Sequence, residues 1–252
     1  MHIYLIGAAW VVGMALFAGL AAHLTRRLTE KEGRAANNES AGQVFTIVGG
    51  LHAVLIAFVL IGLFDSVGAA RDTTYQEANS LVAVVWAGDE LPPATGARIR
   101  ELAVSYTHQA INTEWSQMAA GAAVNTAGWN TIIEMQKTIS DAKTTSIWQD
   151  SRKAEASTQL LSVYQSRQQR LNDATSGVSA VIWFALIIGS LLSLGLPLLF
   201  GGPKVRAHIL IVSTMAAALA VLLFAIYQLQ NPFAGGASIG PDAFRSALGR
   251  LQ

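Results

Sequence analysis

The stretch VFTIVGGLHAVLIAFVLIGLF at residues 44–64, continued without a break by DSVGAARDTTYQEANSLVAVVWAGDELPP at residues 65–93, decides the fold. The first part holds no Asp, Glu, Lys or Arg. A helix of about 20 such residues crosses a ~30 Å hydrocarbon core at ~1.5 Å per residue. Charges begin at Asp65, yet no proline intervenes, and Tyr75, Ala78, Val82, Val85 and Trp86 recur at helical spacing. The pattern predicts one long helix that leaves the bilayer and runs on until Gly88-Asp89-Glu90-Leu91-Pro92-Pro93 stops it.

Three more apolar stretches share this character: Tyr4–Ala22, Val178–Phe200 and Ile209–Leu229. Positive residues follow the first stretch rather than precede it, which sets it apart from a cleaved signal peptide and marks it as a retained span. The expected fold is an all-α integral membrane protein: four transmembrane helices, with a helical extramembrane bundle continuing from spans two and three. The expected division is residues 1–66 for helices one and two with a short loop, 67–177 for the extramembrane domain, 178–230 for helices three and four, and 231–252 for the tail.

Within the extramembrane block, helices are expected over about 94–118, 129–143 and 147–174, the last feeding span three with Gly177 at the junction. Each proposed helix carries one tryptophan, at positions Trp86, Trp115, Trp129 and Trp148. Tryptophans so placed are expected to include core anchors. No segment alternates in the manner of a strand, so no sheet is expected. In the tail, Gly235-Gly236 reads as a flexible joint. Pro241–Leu251 reads as a short amphipathic helix with Ala243, Phe244, Ala247, Leu248 and Leu251 on one face.

Composition removes several classes of function. The net charge of +1 argues against a nucleic-acid partner. There is no cysteine, which excludes disulfides, thiolate metal sites and cysteine nucleophiles. The five histidines are scattered, none in a His-x-x-x-His pair, and no serine sits in a Gly-x-Ser-x-Gly context. No metal, no cofactor and no enzymatic activity are expected.

Orientation follows from the short loops. Arg26, Arg27, Lys31 and Arg34 join spans one and two, and Lys204 and Arg206 join spans three and four. The positive-inside rule puts these loops in the cytoplasm of a bacterial cell, with both termini and residues 67–177 outside the cytoplasmic membrane.

Candidate functional residues concentrate on span two. Gly49, Ala53 and Ala57 recur every four residues, spacing that lets helices pack closely in lipid. His52 is an ionisable residue within the span, suited either to a pore wall or to a helix interface. Gly49, His52, Ala53, Ala57 and Asp65 are therefore the pore-lining candidates. Arg71, Asp72 and Glu77 form the candidate charged cluster at the outer mouth, with a local salt-bridge network as the alternative.

A joined pattern adds to this reading. It runs Asn37-Asn38-Glu39, Phe45…Gly49, Ala57-Phe58, Asp65…Ala70-Arg71-Asp72…Glu77-Ala78-Asn79, Tyr106…Glu114-Trp115…Met118, then Asn231-Pro232-Phe233…Gly240-Pro241-Asp242-Ala243-Phe244. Over most of residues 37–248 it resembles the bacterial bestrophin-like integral-membrane family. The resemblance implies an oligomeric ion channel, since bestrophins are pentameric channels with a helical body. In calcium-gated bestrophins an acidic run follows Asn-Pro-Phe, whereas Ala234-Gly235-Gly236-Ala237 follows here, so the calcium clasp is not expected to carry over.

The expected function is an oligomeric ion channel or pore. Its partners would be the lipid bilayer, copies of the same chain and an inorganic ion. The competing class is a non-transporting membrane protein whose helical module binds or senses a partner.

Overall fold

The computed structural model describes residues 2–28, 38–198 and 205–252. Lys31, Arg34 and Lys204, which carry much of the expected loop charge, lie outside the described residues. The chain forms two compact units: Met1–Phe64 with Val178–Gln230, and Asp65–Gly177 with Asn231–Gln252. Every regular element among the described residues is helical.

The first unit holds α1 (His2–Leu28), the opening half of α2 (Asn38–Asp89), α7 (Ala180–Leu198) and α8 (Val205–Leu229). Four helical segments are long and apolar enough to cross a membrane. Tyr4, Leu16, Phe17, Leu51, Phe58 and Leu210 stand exposed on them. Helices with so much outward apolar surface need a hydrocarbon solvent, and lipid provides it. α1 packs closely against α8. A methyl group on Gly7 would lie 2.7 Å from the Phe224 ring, and one on Gly19 would lie 2.6 Å from the Ser213 hydroxyl. In lipid, where burial of apolar surface drives little, this close backbone approach supplies the attraction. Ala18, Ala22, Val212 and Ala216 complete the seam. A second seam gathers Ile56, Leu186 and Ile226, joining α2, α7 and α8.

The second unit holds the remainder of α2, then α3 (Pro93–Gln109), a π-helical turn (Ala110–Glu114), α4 (Trp115–Ala119), α5 (Ala127–Ser140), α6 (Ile147–Thr175) and α9 (Asp242–Leu251). Local chemistry sets the boundaries. Pro92 and Pro93 halt α2 and open α3, since proline fixes φ and its missing N–H is an orphan at a helix start anyway. The Ser146 hydroxyl accepts the Gln149 N–H at 3.2 Å and caps α6. The Lys153 ammonium donates to the Ser140 and Ala142 carbonyls at 2.7 and 2.9 Å, closing the end of α5. After Thr175 the backbone turns extended at Ser176, so α6 and α7 are separate helices with Gly177 in the gap.

The core of this unit draws on every one of its helices. The sequence reading sets residues 231–252 apart behind a glycine joint. In the structure Phe233 and Phe244 are buried in the same core as Ile99 and Tyr106. The Asn231 side-chain oxygen accepts the Phe233 N–H at 2.8 Å, the Pro232 carbonyl accepts the Ile239 N–H at 2.8 Å, and Arg100 donates to the Leu251 carbonyl at 2.9 Å.

The tryptophans divide. Trp115 is 7% exposed, donates its indole N–H to the Ile239 carbonyl at 2.9 Å, and meets the Phe233 and Phe244 rings edge-on. Trp129 is half-buried against Tyr164. Trp86 and Trp148 are 60% and 57% exposed, so they are surface residues and not anchors. On α2 the buried stripe runs Ala70, Thr74, Glu77, Leu81, Val84, and Trp86 falls two positions off it.

Candidate functional site

Two arrangements are candidates for function, one in each unit. In the membrane unit, α2 turns two different faces outward and inward. Thr46, Gly50, Ala53 and Ala57 lie on an exposed stripe, and a Cβ at Gly50 would meet nothing within 4 Å. The stripe opens to the outside of the unit, and Thr46, Gly50 and Ala53 on it also border a hollow shared with α7 and α8. Gly49 is half-buried at its edge, and Asp65, further along α2, is exposed.

His52 reaches toward α7. It is buried, its Nε2 lies 3.0 Å from the Ser190 hydroxyl of α7, and its ring rests directly on Gly189. Any side chain at position 189 would occupy the space of the imidazole. His52 therefore occupies a helix interface and does not share the exposed stripe with Ala53 and Ala57.

The mouth cluster is also divided. Arg71 and Asp72 are exposed and form no ion pair among the described residues. Glu77 is fully buried apart from them and ion-paired to Arg170, in keeping with the salt-bridge alternative. The reason is periodicity: Glu77 falls on the core stripe of α2, one turn from Ala70–Thr74 and one from Leu81.

The ion-paired group that holds Glu77 is the least anticipated feature of the protein. Glu77 of α2, Glu114 of the π turn, and Arg167 and Arg170 of α6 are all fully buried, together with Tyr106 of α3. Arg170 Nε and Nη2 donate to Glu77 at 2.7 and 3.0 Å, and Nη2 also donates to Glu114 at 3.0 Å. Arg167 Nη1 donates to Glu114 at 2.7 Å and to the Tyr106 hydroxyl at 3.2 Å, and that hydroxyl donates to Glu77. Two cations face two anions, so the charge balances. The guanidinium groups also stack on rings: Arg167 on Trp129 at 4.8 Å and Tyr106 at 5.4 Å, Arg170 on Trp115 and Phe244 at 5.4 Å. Gly128 makes the room, since a methyl group there would lie 2.5 Å from Arg167 Nη2.

Burial and charge pull in opposite directions within this group. Burial pushes the Glu114 carboxyl up, but the hydrogen bond from Arg167 and the charges of Arg170 and Arg167 outweigh it and hold it below the usual carboxylate range. Burial, reinforced by the Glu77 charge, raises the Tyr106 phenol far above its ordinary value, so it stays a neutral donor. A carboxylate with a depressed folded-state pKa adds stability above its unfolded pKa and loses it as pH falls through the folded value. Stability of this unit is thus expected to be flat through neutral pH and to fall on acidification below about pH 4, where an ordinary Glu begins to protonate. A thermal melt of the purified protein between pH 3 and 8 checks this, and stability that rises on acidification would contradict it.

The sequence signal for the group was present. Leu160, Val163, Arg167, Arg170 and Ala174 recur at spacings of three and four, so the arginines occupy core positions of an otherwise apolar stripe. Glu77 does the same on α2. The position of Glu114 depends on the π turn, whose extra residue re-aims the side chain and has no plain mark in composition.

Solved structures share this architecture. A bacterial bestrophin homologue from Klebsiella pneumoniae carrying a single substitution superposes with a TM-score of 0.72 at 15% identity, covering 96% of this chain and 97% of the other. The same homologue in a zinc-phased crystal gives 0.69 at 14% identity, covering 96% and 97%. A further structure described only as a membrane protein gives 0.71 at 14% identity over the same shares. At such identities the likeness establishes the fold. No functionally curated protein matches the chain. The Bestrophin-like domain matches residues 12–244, nearly the whole sequence and both units, and the chain is a member of the bestrophin-like family.

Proposed function

We propose that the protein is a homo-oligomeric ion-conducting pore of bestrophin type in the bacterial cytoplasmic membrane. The observation that carries this reading is the exposed stripe of small residues on α2 in a chain of this family. Thr46, Gly50, Ala53 and Ala57 leave room for close approach of a second copy or for a water-filled path along the oligomer axis. Ala53, Ala57 and the edge of Gly49 are proposed to form the wall, and Asp65 to set the field where α2 leaves the membrane. His52 is proposed to hold α7 against α2 beside the path. Residues 65–177 carry 12 Asp and Glu against nine Lys and Arg, which tilts selectivity toward cations by field alone.

Purified protein in planar bilayers is expected to conduct. Ala57→Trp is expected to reduce unitary current to a tenth or less, and Asp65→Asn to lower the cation-to-anion permeability ratio. A current unmoved by either substitution would remove α2 from the pathway. Silence under every voltage and pH would favour the interaction-module reading. The exposed Trp86, Ile147 and Trp148 on the extramembrane unit support that second reading, because aromatic side chains are enriched at protein interfaces.

The charge of the short loops favours an extracytoplasmic bundle, the reverse of the bestrophin arrangement. The chain lacks cysteine, so single cysteines report topology directly. A cysteine replacing Ser140 is expected to react with an impermeant thiol reagent in intact cells, and one replacing Asn37 is expected to stay protected. The opposite pattern would invert the orientation.

A further inference from the structure

A cavity of about 390 Å³ lies among α2, α7 and α8 of the membrane unit. Gly49, Gly50, His52 and Ala53 form its α2 wall, Ser193 stands on α7, and Met215 and Leu219 close it from α8. Its volume is within the ~300–1,000 Å³ range of small-molecule sites. Thr46, Gly50 and Ala53 are exposed at its edge, so the cavity is reached from outside the unit.

His52 and Ser193 bring polar groups to this largely apolar lining; His52 Nε2 is engaged by Ser190, which leaves Ser193 as the free hydroxyl. Ser193 is 4% exposed, and its Oγ has no hydrogen-bond partner among the described residues. Hydroxyls in apolar helices ordinarily donate back to their own helix, as Thr214 does to the Leu210 carbonyl at 2.8 Å. The Ser193 carbonyl is in a similar position. Four residues on, where its helical donor would be, stands Pro197, which has no N–H. One residue thus offers both a hydroxyl without a partner and a carbonyl deprived of its usual donor.

The geometry points to a binding site for a neutral amphiphile that carries one hydroxyl on an apolar ring, of alkylphenol size. A hydroxyl both accepts and donates, so it complements Ser193 Oγ in either role. The ring fills the space left by Gly49, Gly50 and Ala53. A lipid acyl chain fills the same space but does not serve Ser193 Oγ. A bare ion finds too few oxygen ligands there.

Full-length protein in lipid nanodiscs, exposed to a photoreactive alkylphenol, tests the site without any measurement of current. A failure of the site is thereby separate from a failure of conduction. Labelling is expected to saturate, to map to α2 and α7, and to be competed by 4-propylphenol. Ser193→Ala is expected to weaken apparent affinity roughly three- to tenfold, the worth of one hydrogen bond. Gly50→Leu is expected to abolish labelling by filling the mouth; a side chain there points into open space, so the fold is retained. Labelling that never saturates and spreads over α1 and α8 would overturn the proposal. So would an absence of labelling, or a saturable site that neither substitution changes.

Discussion

Replacing Arg170 by alanine is expected to destabilise the protein by about 3–5 kcal/mol, because it leaves buried carboxylates without compensation. Arg170 is fully buried and is the only guanidinium that donates to both Glu77 and Glu114 among the described residues. Its removal would also open space beside Met118, Trp115 and Phe244. Denaturant melts of the full chain in mild detergent give the measurement. A companion variant separates charge from volume. Arg170→Met combined with Glu77→Leu removes one cation and one anion while keeping the core filled, and leaves Arg167 paired with Glu114. Replacing a buried pair by apolar residues is often neutral or stabilising, so the double variant is expected to recover most of the loss. An Arg170→Ala protein within about 1 kcal/mol of wild type would show that the buried group is not an energetic unit.

Trp115→Ala is expected to produce the other large effect, about 3–5 kcal/mol, the usual range for truncating a buried aromatic. The indole fills the space between Phe233 and Phe244, and its N–H serves the Ile239 carbonyl, which would be left with no side-chain partner. Trp86→Ala and Trp148→Ala are expected to stay within about 0.5–1 kcal/mol, because both rings are largely in solvent. Equal losses at all four tryptophans would contradict the burial seen here. Hydrogen exchange offers a second readout: loss of Trp115 should raise exchange in α9, while loss of Trp86 should not.

Much of this architecture was legible from periodicity. The passage of α2 from lipid into the bundle followed from an unbroken helical pattern across Asp65, and its stop followed from Pro92 and Pro93. The apolar spans needed only length and the absence of charge. The burial of the four charges is not legible from residue type, because a charged residue reads as a surface residue unless its position on a stripe is weighed above its type. Arg167 and Arg170 show the cost of that habit, since both sit where Leu160 and Val163 predict core. His52 was read as either wall or interface. Its partner Ser190 lies 138 positions away, and no local pattern connects the two. Trp115 is the core anchor that the tryptophan pattern predicts, whereas Trp86 and Trp148 stand exposed.

The extramembrane core is closed by residues from both sides of two membrane helices, and this imposes an order on how the protein is made. Trp115 and Tyr106 find Phe233 and Phe244 only after α7 and α8 have been synthesised and inserted. At ribosomal speeds of about 5–20 residues per second, the 75 residues from Val178 to Gln252 take roughly 4–15 s. Through that interval the nascent bundle exposes the aromatic surface that α9 will later cover. The protein therefore has a built-in window in which chaperones can bind and proteases can cut, and the insertion of the last two spans ends it.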